Sequence, residues 1–131
     1  MKLKSILSLA LLFAFSASFS QTSNLRKAKT GYEKYVDVKS IGNPALGLND
    51  LKSALAAAEK ATEHEKTKDL AESWIYLSLI NSELAILDTT ANSKEFFNKS
   101  LGAFNKAKEL DENNEQTTTI EAANANFAQY E

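Results

Sequence analysis

The stretch "LAESWIYLSLINSELAIL", residues 70–87, decides the fold. Leu70, Trp74, Leu77, Leu84 and Leu87 recur at helical spacing and predict a helix over 68–88. Ile75, Leu79 and Ile80 widen the apolar surface beyond one stripe. A helix with so broad an apolar face touches neighbours on more than one side. Everything else in the chain has to supply those neighbours.

The segments on either side do so in pairs. Leu25, Ala28, Tyr32, Tyr35 and Val36 set a first helix over 24–38. "SIGNPALG", 40–47, breaks it, because Gly42, Pro44 and Gly47 cannot all lie within one helix. Asn49 or Asp50 is expected to cap a second helix with Leu51, Leu55, Ala58 and Ala61 inward. The polar run "TEHEKTKD" closes it. After the central helix comes the break "DTTANS". Asn92, with Glu95 three residues on, resembles a capping box. A fourth helix over 94–111 turns Phe97, Leu101, Phe104, Ala107 and Leu110 inward. Asn113 or Asn114 restarts a fifth, striped by Ile120, Ala123, Phe127 and Tyr130. The chain is therefore expected to be all-α, with hairpins at 24–62 and 68–111 and a final helix at 115–131.

Composition agrees. One Pro and four Gly in 131 residues suit helices rather than a turn-rich sheet. The absence of cysteine rules out disulfides and thiolate metal sites. Residues 1–20 read as a secretory signal peptide: Lys2 and Lys4, an apolar block from Ile6 to Phe15, then small residues including Ser18 and Ser20. The cut would leave Gln21 first. The block is about ten residues, too short for an integral membrane anchor, which needs about 20. Losing Lys2 and Lys4 takes the 15 basic residues to 13 against 17 acidic ones. That acidic balance, with no basic run, argues against nucleic acid as a partner. The expected location is outside the cytoplasm, periplasmic or secreted, in a bacterium.

Displacing the chain by 49 residues superposes the two hairpins. Leu25 falls on Trp74, Ala28 on Leu77, Tyr35 on Leu84, Leu55 on Phe104 and Ala58 on Ala107. A repeat of this kind stacks hairpins that cannot each bury an apolar face alone.

At this point the chain resembles the tetratricopeptide family. The second helix of that repeat carries a small residue, an aromatic four on, Ala three further and Pro five beyond. Ser100, Phe104 and Ala107 fit, and Glu112 stands where Pro would be. In the first hairpin these places hold Leu51, Leu55, Ala58 and Glu63. In the first helix of the repeat, Trp74, Leu77 and Ser78 fit and Asn81 replaces an aromatic; Leu25, Ala28 and Tyr32 fit and Lys29 does not. The period departs from the family's 34 residues. The general look is similar to the start of secreted tetratricopeptide proteins of the Bacteroidetes. The resemblance implies a concave face lined by first helices, carrying Arg26, Thr30, Glu33, Glu72, Ile75, Leu79 and Glu83. Ile75 and Leu79 would either floor a peptide groove there or pack on a neighbouring helix.

No constellation for catalysis emerges. His64 is the only histidine, and no carboxylate lies three or four residues on to complete a ligand pair. Trp74 lies on a core stripe. "DENNEQ", 111–116, opens like a calcium loop but has Gln116 where glycine is needed and Ala122 where the bidentate Glu belongs. The serines lack a placed base and a Gly-x-Ser-x-Gly elbow. Asp88–Thr90 matches a short motif resembling O-glycosylation sites in exported Bacteroidetes proteins, but three-residue matches are common by chance and an ordinary loop is the expected reading. The expected function is non-catalytic binding of another protein or peptide, without a cofactor. A structural segment of a longer scaffold is the alternative, and an enzyme the third reading. Phe127 and Tyr130, at the end of the last stripe, are expected to leave an open edge. Such an edge would serve a homodimer through this helix or the continuation of a scaffold.

Overall fold

The computed structural model describes residues 23–131, which form five α-helices and no strand. The signal-peptide reading lies outside the described residues. The helices are α1 (23–40), α2 (Leu48–Glu63), α3 (Ala71–Leu87), α4 (Asn92–Leu110) and α5 (Thr117–Tyr130), with a 3-10 turn at Pro44–Gly47 before α2.

α3 is the axis of the molecule. It packs against α2, α4 and α5, and α1 reaches it through Tyr32, whose ring meets that of Tyr76 edge-on at 5.9 Å. Its sides feed two cores. Ile80 and Leu84 join Ala28, Tyr35, Leu51, Ala54 and Ala58 between α1 and α2. Ile75, Tyr76 and Leu79 join Phe104, Ala107 and Ala123 between α4 and α5. Each large aliphatic side chain fully removed from water there contributes about 1.5–3 kcal/mol. The broad apolar surface thus has the expected cause. The order of burial within it differs from expectation, however. Ile75, Leu79 and Ile80 are fully covered, whereas Trp74, Leu77 and Leu87 are half-buried and Leu70 is exposed. Val36, expected inward, is also exposed.

Small residues set how closely the helices cross. A side chain at Gly31 of α1 would come within 2.8 Å of the Ala54 methyl on α2. Between α3 and α4, the Ser78 hydroxyl donates to the Ser100 carbonyl at 2.9 Å, and the Ser100 hydroxyl donates to the Ser78 carbonyl at 2.6 Å. The two crossings use different positions. Under the 49-residue displacement, Ser78 falls on Lys29 and Ser100 on Leu51.

The connections correct the expected caps. α1 ends where Gly42 adopts φ +84, which glycine tolerates without strain. α2 then grows directly from the 3-10 turn with Gly47 at its N-cap, so Asn49 and Asp50 lie in its first turn rather than capping it. Ala91 is the N-cap of α4 and Asn92 its first residue, with no side-chain cap. The turn is built instead by Asp88, whose carboxylate accepts from the Thr90 backbone N–H at 2.7 Å and from its hydroxyl. Asn113 and Asn114 precede α5, which starts at Thr117. Asp111 organises that entry, accepting from the backbone N–H groups of Glu115 and Gln116.

Candidate binding surfaces

The antiparallel hairpins bring the α1–α2 connection, the end of α3 and the start of α4 to one end of the bundle. A groove of about 420 Å³ opens there. Leu48, Leu84, Leu87 and Phe96 give it an apolar floor, and Lys52 and Asp88 stand at its edge. Phe96 and Leu87 are half-buried because the groove leaves one side of each uncovered. The Thr90 hydroxyl, and then its backbone N–H, hold the Asp88 carboxyl below the usual carboxylate range, and Lys52 adds to this. The edge therefore carries one negative charge held in place by Thr90 and one exposed positive charge, that of Lys52. Ile41 and Leu46, in the α1–α2 connection at the same end, are 78% and 69% exposed. Apolar surface of this kind, rimmed by charge, suits a protein or peptide partner.

A polar cluster fastens α1 to α3 close to this end. Glu83 is 2% exposed, yet its carboxylate is fully engaged. Lys39 Nζ donates to both of its oxygens at 2.9 Å, and the Tyr35 hydroxyl donates to Oε2 at 2.9 Å. Burial, and after it the Glu83 charge, push the Tyr35 phenol well above its ordinary range. Tyr32 is raised for the same two reasons.

The residues expected on a concave face separate into two groups. Arg26, Thr30 and Glu33 are exposed on α1, and Glu72 is half-buried and pairs with Lys29 at 3.5 Å. Ile75, Leu79 and Glu83 are buried. They cannot floor a groove, because α4 and α5 cover the first two and α1 covers the third. Of the two readings of Ile75 and Leu79, packing on neighbouring helices is the one realised. Arg26 and Thr30 instead line a second surface groove, between α1 and α2.

The end of the chain is closed more than expected. Phe127 packs edge-on against Phe97 at 5.8 Å and Phe104 at 5.1 Å. Tyr130 stacks on Phe97 at 4.2 Å, and its hydroxyl accepts from Ser93 at 3.3 Å. Both are half-buried on α4.

The remaining candidates have structural partners. Trp74 Nε1–H donates to the Lys68 carbonyl at 2.6 Å and ties the α2–α3 connection to α3. His64 Nδ1 accepts from the Lys66 backbone N–H within that connection. Among the described residues, no group of three or more His, Cys, Asp or Glu side chains is placed to hold a metal ion, and no helix is long and apolar enough to cross a membrane. The end groove was missed from sequence because its floor combines residues of three helices. The exposed Ile41 and Leu46 in a turn were the one available signal.

Comparison of the chain with protein-family models, with curated proteins and with solved structures finds no match.

Proposed function

We propose that this chain is an exported, non-catalytic helical module of tetratricopeptide-like design that binds another protein or peptide. The observation that carries the reading is the apolar groove at the α2–α3–α4 end, with Ile41 and Leu46 exposed at the same end. Burying those side chains on a partner would recover the hydrophobic stabilisation that the monomer forgoes. The repeat reading draws support from the alignment of successive first helices: α1 meets α3 through Tyr32, Tyr35 and Lys39, and α5 meets α3 through Asn126, which donates to Ser82 at 2.8 Å.

The test is a crosslinking pull-down from the native cell envelope with the parent protein and an Ile41→Asp/Leu46→Asp variant. Both sites are exposed, so the variant should keep its helicity. A discrete partner captured by the parent and lost from the variant supports the reading. Equal capture by both removes the end surface from it.

A further inference from the structure

Charge is unevenly divided along this chain. Residues 23–40 carry five cations and two acids, whereas residues 41–131 carry eight cations and fifteen acids. The cationic excess gathers at the α1–α2 groove, about 430 Å³, whose floor lies where Gly31 meets Ala54. Arg26, Lys27 and Lys34 stand on its rim, all exposed, with the hydroxyls of Thr30 and Ser53 between them. Asp50 is the one acid there. Lys29, Lys39, Lys68, Lys99 and Lys106 form ion pairs with acids elsewhere, and none of them lies on this rim. No ion pair among the described residues engages the three rim cations.

A surface of opposite sign is built on the same molecule. The α4–α5 turn, 111–116, presents Glu112 and Glu115 to solvent. Its shape is held from within by the Asp111 carboxylate, bonded to the Glu115 and Gln116 N–H groups, and by Asn114 at φ 54. Asp69 and Glu72 flank the same turn. A rigid turn loses little conformational freedom on binding. Its charge matches a groove that the rest of an acidic chain would otherwise leave unneutralised.

We propose that the α1–α2 groove of one copy receives the acidic α4–α5 turn of a second copy. The contact joins two different surfaces, so it is heterologous and propagates into open chains unless its rotation closes a ring. It uses neither the apolar end groove nor its rim, and it stands or falls independently of the function proposed above.

Charge exchange tests it. One variant reverses the groove, Arg26→Glu/Lys27→Glu/Lys34→Glu; the other reverses the turn, Glu112→Lys/Glu115→Lys. All five sites are exposed. In sedimentation at about 20 mM salt, the weight-average mass of the parent should rise with concentration and return to the monomer at about 0.5 M salt. Each variant alone sets like charges face to face and should associate about tenfold or more weakly. An equimolar mixture restores opposite charges at every contact and should recover association. A parent that stays monomeric up to about 1 mM, where even a weak complex with a Kd of about 1 mM would be substantially formed, overturns the proposal. So does association that survives either reversal, or a mixture that remains monomeric.

Discussion

Glu83 shows how a single residue can oppose its environment and still hold. An unpaired carboxylate this deep would be costly, and Lys39 and Tyr35 offset that cost. Glu83→Ala strands both partners and should cost about 3 kcal/mol or somewhat less, since the Lys39 ammonium end reaches solvent. The paired change Glu83→Met/Lys39→Met should cost much less, and thermal melts of the double-mutant cycle measure the difference. Ser73 is the converse case. Its hydroxyl is fully buried with no hydrogen-bond partner among the described residues, so Ser73→Ala should leave stability unchanged or raise it by about 1 kcal/mol. Tyr76 gives a pH signature. Burial first, then Glu33 and Glu72, push its phenol up to about 12 from the ordinary 10.0. A folded-state value above the unfolded one means the folded protein holds its proton longer. That contribution is fully present below pH 10 and is lost as pH rises towards 12. Tyr76→Phe should flatten the decline in melting temperature over that window; an unchanged slope would show that Tyr76 does not contribute to it.

At the scale of elements, α5 is the informative case. Phe127 and Tyr130 are docked on Phe97 and Phe104, which makes the last helix a packed element in this structure rather than a bare stripe. Phe127→Asp should therefore lower stability by about 2–4 kcal/mol without changing the mass in solution. A fall in mass with stability intact would restore the open-edge reading. Phe104→Ala, in the same cluster, should cost about 3–5 kcal/mol. Helix centres were legible in the sequence because spacing reports directly on the buried stripe, as at Ala28, Leu51, Ala58 and Ala107. Helix starts were not. Asn49, Asp50 and Asn92 have capping chemistry, but the backbone entered each helix one or more residues earlier, through the 3-10 turn and the Asp88–Thr90 turn. The placement of Ile75 and Leu79 was ambiguous for a related reason. The pattern of one helix shows how wide its apolar face is, but not which helices come to cover it.

For the whole molecule, the arrangement around α3 limits where a partner can bind. With Ile75, Leu79 and Glu83 covered, α3 contributes to the end groove only near its C-terminus, through Leu84 and Leu87, and the exposed Ile41 and Leu46 lie at the same end, where α1 and α2 join. The export proposed above is tested at the same scale: N-terminal sequencing of protein made in its own cells should begin at or near Gln21, and recovery of protein that still begins at Met1 would refute it. The most direct measurement for the functional account is site-specific photo-crosslinking in those cells. A photoreactive residue at position 46 samples the proposed surface, and one at position 98, exposed on α4, samples a face assigned no role. A discrete adduct with another protein is expected from position 46 and none from position 98. Adducts from neither position, or the same adducts from both, would contradict the proposed surface.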